Sequence, residues 1–151
     1  MNDEHYMHLC IEEAQASSAR GEVPVGALIV NPSTGEILAR TGNAPIGICD
    51  PTAHAEILAL RDAAYKTGNY RLSGLTLYVT LEPCTMCAGA ISNARITRVV
   101  YGASDPKGGA ITHGAKFFES PSCHWRPDVI GGVLATECGT LLKSFFKARR
   151  K

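Results

Sequence analysis

Two short segments constrain this 151-residue chain more than anything else in it: His54-Ala55-Glu56 and Pro83-Cys84-Thr85-Met86-Cys87. Each sits where an apolar strand pattern gives way to a helical one, and together they span one strand–helix repeat of an α/β protein. A repeat of that kind carries both segments to the carboxyl edge of one sheet, which is where open α/β sheets bind their ligands.

The neighbouring elements follow from residue type. A helix is predicted over Glu4–Ser18, with Met7, Cys10, Ile11, Ala14 and Ser18 on one stripe and Gly21 as its stop. Val23–Asn31 reads as a largely buried strand, Pro32–Gly35 as a turn and Glu36–Thr41 as the return strand of an antiparallel hairpin. Asp50-Pro51 has the form of an N-cap followed by proline at the first helical position, opening a helix to Lys66 with Ile57, Leu60 and Ala64 inward. A strand over Leu75–Thr80, a helix over Pro83–Asn93 and a strand over Ile96–Tyr101 follow, then a polar loop over Asp105–Gly114. Val129–Leu134 fits either a short edge strand or a loop. The last helix, Thr136–Arg150, spaces Cys138, Leu141, Leu142, Phe145 and Phe146 as a buried stripe. The expectation is one three-layer α/β/α domain over residues 1–151, with a central mixed sheet of about five strands and parallel pairing across the helical crossovers. A chain of this length buries roughly 70% of its unfolded surface and needs no covalent staples.

The N-terminal segment has the acids Asp3, Glu4, Glu12 and Glu13 and no basic leader, and no apolar run is long enough to span a bilayer. The expected location is cytoplasmic, without membrane association. In that compartment the six cysteines are expected to be thiols, with Cys10 and Cys138 as apolar fillers.

Cys84 and Cys87 differ from the others because i, i+3 spacing puts both sulfurs on one helix face. A helix N-terminus favours thiolate and disfavours a protonated His54, so all three groups are presented in metal-binding form. Two thiolates and one imidazole select zinc, one ion per subunit, and three protein ligands leave the fourth position open, as in catalytic rather than structural sites. Glu56, two residues from His54, points elsewhere than the ligand yet reaches the same space, where a carboxylate can carry a proton from water to substrate. Two other readings stay open on these residues alone. A thioredoxin-like redox pair leaves His54 and Glu56 unused, and a non-catalytic zinc module needs a fourth ligand from Cys49, Cys123, His113 or His124.

The pattern H-x-E followed by P-C-x-x-C is similar to the signature of the zinc-dependent nucleobase deaminases. The longer segments Glu22–Ala27, Asp50–Glu56, Leu77–Ala90, Tyr101–Gly109 and Phe145–Arg150 resemble, more specifically, the bacterial tRNA-specific adenosine deaminases. That resemblance implies a homodimeric zinc hydrolase of the cytidine-deaminase fold. It would convert adenosine to inosine at the wobble position of a tRNA anticodon stem-loop, most often that of an arginine tRNA. By the same resemblance His54, Cys84 and Cys87 hold the zinc and Glu56 shuttles the proton. Asn43 and the Ala55 amide face the flipped base, Asp105 and Lys107 meet the anticodon backbone, and Phe145, Phe146, Arg149 and Arg150 face the neighbouring nucleotides. The alternative is a guanine or cytidine-type deaminase of free bases or nucleosides with the same zinc site.

Charge distribution favours the RNA substrate. The net charge is only +1, which excludes a uniformly basic protein. Residues 1–22, however, contain five acids and one base, whereas Lys143, Lys147, Arg149, Arg150 and Lys151 cluster at the other end with no acid. Cations beside Phe145 and Phe146 suit phosphates and stacked bases; a deaminase of free nucleosides gains nothing from them.

Overall fold

The computed structural model describes residues 2–149. Helix α1 (Asp3–Ala19) precedes a hairpin of β1 (Gly26–Val30) and β2 (Ile37–Gly42). Then come α2 (Ala55–Thr67), β3 (Thr76–Leu81), α3 (Thr85–Asn93), β4 (Arg98–Ala103), a 3-10 turn at Phe117–Glu119, the short β5 (Asp128–Ile130) and α4 (Ala135–Arg149). The strands form one mixed sheet in the order β2-β1-β3-β4-β5, with β1 antiparallel to β2 and β3, and β3, β4 and β5 mutually parallel. The expected five-stranded mixed sheet is therefore present, with one difference. β2 and β3, joined through α2, run the same way but do not pair, because β1 lies between them.

Alternation along the strands builds the three layers. Ala27, Ile29, Leu77, Val79, Val99 and Tyr101 project toward Ala55, Ala59 and Leu60 of α2 and Ala88 and Ile91 of α3. Leu28, Val30, Tyr78 and Val100 project the other way, onto Met7, Cys10 and Ile11 of α1 and Cys138 of α4. Two glycines set how closely α1 lies on the hairpin. Gly26 and Gly42 are partners across β1 and β2, and a β-carbon on either would run into α1, at the Cys10 carbonyl or the Ser17 hydroxyl.

Three expectations are corrected. α2 begins at Ala55 rather than at Pro51, because the Asp50 carboxylate is engaged locally: its Oδ1 accepts from the Thr52 amide and hydroxyl at 2.8 and 2.7 Å. The buried position near the end of α1 is Ser17 rather than Ser18, and its hydroxyl donates to the Asn43 carbonyl at 3.0 Å. On α4, Cys138 and Phe145 are buried and Leu141 and Leu142 half-buried, but Phe146 is 44% exposed. The covered stripe of that helix is thus narrower than five positions. All six cysteines are free.

The first turn of α1 is tied to the sheet by a polar clamp. The Asp3 carboxylate accepts two bonds from the Arg98 guanidinium, at 3.0 and 2.6 Å, and one from the Tyr78 hydroxyl at 2.7 Å. These contacts, Arg98 first, hold the Asp3 pKa below its ordinary value. A lowered folded-state pKa stabilises above the unfolded-state pKa and is lost as pH falls through the folded one. Asp3→Asn is expected to cost about 1–2 kcal/mol at neutral pH. Urea titrations of both proteins across the acid range check this: the gap closes as Asp3 protonates, and a pH-independent gap contradicts the assignment.

Candidate active site

α2 and α3 both start at the carboxyl edge of the strands that precede them, and both start in an unusual way. N-cap residues usually accept a backbone hydrogen bond through a short polar side chain. Here the N-caps are His54 and Cys84, in extended backbone conformations with no side-chain cap bond. Their side chains are left to meet each other. His54 Nδ1 lies 3.6 Å from Cys84 Sγ and 3.4 Å from Cys87 Sγ, one turn into α3. All three ligand atoms lie within 4.8 Å of one another. Tetrahedral zinc bound by imidazole and thiolate separates nitrogen from sulfur by about 3.5 Å, so the trio fits that ion. Among the described residues, no other histidine, cysteine or acid joins the group.

The electrostatics favour a cation. Hydrogen bonding from the Cys87 thiol, then from His54, pulls the Cys84 thiol down to about 4. Glu56 is buried at the same site, and desolvation lifts its carboxyl to about 7. His54, Glu56 and Cys84 open into a cleft of about 350 Å³, lined also by Val23, Val25, Asn43, Pro45, Leu81, Glu82, Asp105 and Gly108. A carboxylate in the cleft but outside the ligand group can move protons without competing for the metal.

The remaining predicted residues divide by position. Asn43 is buried in the cleft wall, and its Oδ1 accepts from the Ala55 amide at 2.7 Å, so the two form one linked unit. Thr41 fixes the other side of Ala55 by donating to its carbonyl at 2.7 Å. Asp105 lines the cleft, while Lys107 is exposed beside it and donates its amide to Asp105 Oδ1 at 3.2 Å. Phe145 is buried under the Arg149 guanidinium, 4.2 Å from its ring centre, with Phe146 edge-on to it. Both aromatics adjoin the cleft. Phe145 and Arg149 share a depression with Val23, Asn43 and Pro45, and Phe146 and Lys143 share one with Leu81 and Asp105. The groove is thus continuous from the ligand trio to α4. Arg150 lies outside the described residues.

The four residues weighed as a fourth ligand are engaged or placed elsewhere. The Cys123 thiol donates to the Trp125 carbonyl, His113 pairs with Glu82, and Cys49 and His124 are exposed and outside the ligand group. Sequence reasoning missed Glu82 and Glu22. Glu82 is 2% exposed, and hydrogen bonds from the Asp105 amide, the His113 ring and the Thr112 and Ile111 amides outweigh its desolvation and hold its carboxyl down at about 2. Glu22 is 3% exposed and accepts from the Ile46 and Gly47 amides at 3.2 and 2.7 Å. For Glu82 the available signal was an acid at the end of an apolar strand, immediately before Pro83.

The profile of the cytidine and deoxycytidylate deaminase zinc-binding region matches residues 1–103. A tRNA-specific adenosine deaminase of Agrobacterium fabrum is 50% identical over 146 residues, covering 97% of this chain and 95% of the relative. The chain belongs to this deaminase family. A solved structure from a study of A-to-I editing by tRNA:A34 deaminases at the wobble position superposes with a TM-score of 0.89 at 51% identity, covering 91% of this chain and 99% of that one. A guanine deaminase from Nitrosomonas europaea shares the fold, with a TM-score of 0.77 at 24% identity over 94% of this chain and 83% of the other. The deaminase is a zinc-binding hydrolytic enzyme.

Replacing one thiol tests the ligand trio. Cys87→Ala is expected to reduce zinc from one ion per chain to well below half, with near-native far-ultraviolet circular dichroism, because Cys87 supplies one of only three protein ligands. Elemental analysis of the purified protein checks it, and full zinc occupancy in the variant contradicts the assignment.

Proposed function

We propose that this enzyme hydrolyses adenosine to inosine at the wobble position of a tRNA anticodon, releasing ammonia. One observation carries the reading: the His54–Cys84–Cys87 trio opens into a groove that continues to the cationic, aromatic face of α4. A pocket for a free nucleoside needs no such extension, whereas an anticodon loop offers splayed bases and phosphates on either side of its target. The high identity to tRNA-specific relatives supports the same substrate. The likeness to guanine deaminases is weaker: that of Bacillus subtilis is 40% identical but covers only 69% of this chain, with a TM-score of 0.66, and that of Nitrosomonas europaea is 24% identical.

His54 Nδ1, Cys84 and Cys87 would hold the zinc, which supplies an acidified water at neutral pH. Glu56 takes a proton from the attacking water and delivers it to the ring nitrogen beside carbon 6. It then takes the proton of the hydroxyl added at carbon 6 and gives it to the amine, which departs as ammonia while the carbonyl forms. Its burial keeps bulk water from competing for that proton. Asn43, fixed by the Ala55 amide, presents its remaining polar atoms toward the base. Asp105 and Lys107 border the anticodon backbone, and Phe146, Phe145, Arg149 and Arg150 receive the flanking nucleotides.

We further assign the enzyme to the cytoplasm, to arginine tRNA as its main substrate and to a homodimer. Among the described residues, no helix is long and apolar enough to cross a membrane. A depression between α2 and α3 supports the dimer: Ile57, Leu60, Ala64 and Ala90 line it beside Arg61 and Asn93, with Tyr70, 70% exposed, among them.

Inosine formation on an anticodon stem-loop measures the proposal directly. The wild-type enzyme is expected to turn over the stem-loop and leave free adenosine nearly untouched, with log affinity falling by about 0.7 per phosphate contact for each tenfold rise in salt. Glu56→Gln is expected to lose about 10²–10⁴-fold in kcat while keeping its zinc. Equal turnover of free adenosine, or an active Glu56→Gln enzyme, contradicts it.

A further inference from the structure

Glu82 lies at the floor of the cleft but is not a metal ligand, and its side chain has no surface exposed to bulk water. Its hydrogen bonds all go to the chain that follows β4. Oε1 accepts from the Asp105 amide at 3.0 Å and the His113 Nδ1 at 2.8 Å. Oε2 accepts from the amides of Ile111, Thr112 and His113 at 3.1, 2.9 and 3.1 Å. A single buried carboxylate thus gathers both ends of the segment from Asp105 to His113. Asp105 and Gly108 of that segment line the catalytic cleft.

The segment is shaped to fit that anion. A β-carbon on Gly109 would sit 2.5 Å from the Glu82 carboxyl carbon and 2.6 Å from the Asp105 carbonyl oxygen. The segment has no strand or helix of its own. Besides Glu82 it is held by the Ala110 amide on the Pro83 carbonyl, by Thr112 on the Tyr101 hydroxyl and by the burial of Ala110 and Ile111. Among the described residues, Glu82 is the one side chain that bonds to both its ends. Losing the carboxylate would also leave buried amides without acceptors. Another stretch of the cleft lining has the same device, since Glu22 accepts the amides of Ile46 and Gly47 beside Pro45.

We propose that Glu82 is a positioning residue for the reaction assigned above: its carboxylate holds Asp105–His113 as the wall against which the RNA substrate docks. The proposal deepens the tRNA reading and rests on it. Glu82 then governs how well the substrate binds rather than how the amine is displaced. Glutamine keeps the shape but replaces one acceptor oxygen with a donor facing N–H groups, so the wall loosens while β3 and α3 stay in place.

The test combines hydrogen exchange with kinetics on the zinc-loaded enzyme. In Glu82→Gln, the amides of Asp105, Ile111, Thr112 and His113 are expected to exchange at least about tenfold faster, with those of β3 and α3 unchanged. KM for an anticodon stem-loop should rise about tenfold, kcat should change by less than about threefold, and zinc should stay at one per chain. Gly109→Ala, which displaces the same segment from its own side, should show the same pattern and decides the matter if Glu82→Gln does not fold. Unchanged exchange in the segment overturns the proposal whatever the substrate proves to be, and so does a fall in kcat at constant KM. Failure of the wild-type enzyme to act on the stem-loop would instead overturn the assigned reaction.

Discussion

The site depends on what the first residues of α2 and α3 do not do. A helix leaves its first amides unpaired, and the usual remedy is a side chain at the N-cap. His54 and Cys84 occupy that position and make no cap bond. They are free to converge because the sheet delivers both helix starts to one edge, with β1 holding β2 and β3 apart by a single strand. Cys87 joins them because one helical turn returns it to the same face. The positive ends of two helix dipoles then surround the trio; hydrogen bonding within it pulls the Cys84 thiol down and lifts His54 and Cys87 above their ordinary values.

Buried polar groups do comparable work around the site. Thr41, Asn43, Glu22 and Glu82 are all nearly inaccessible, and among the described residues no buried side-chain nitrogen or oxygen lacks a partner. These side chains bond to backbone at the ends of regular elements or beyond them: the first residue of α2, the loop after β2 and the segment after β4. Irregular chain gains fixed geometry in this way, because every buried acceptor lost would strand a donor at a cost of about 1–3 kcal/mol. Precision of that kind is what proton transfer and substrate alignment require.

Much of this was legible in the sequence. The hairpin, the crossover helices and the zinc trio are carried by local patterns: alternation, periodicity and i, i+3 spacing. The true start of α2 was hidden, because Asp50-Pro51 imitates a cap while Asp50 in fact closes a turn on Thr52. The placement of β1 between β2 and β3 was hidden as well, since pairing partners depend on the whole sheet rather than on any one segment. Phe146 shares its spacing with Phe145, and only the path of α4 leaves one inside and the other out. Glu82 was legible as a residue but not as a function, because its five donors come from chain that lies 23 to 31 positions away.

X-ray absorption at the zinc edge of the purified enzyme tests the central claim, a three-ligand site built from two helix starts. Two sulfurs at about 2.3 Å and two lighter neighbours at about 2.0–2.1 Å, only one of them an imidazole, is the result expected. Three or four sulfurs, or two imidazoles, would mean that a fourth side chain closes the site, and the enzyme would then lack the open position on which its chemistry rests.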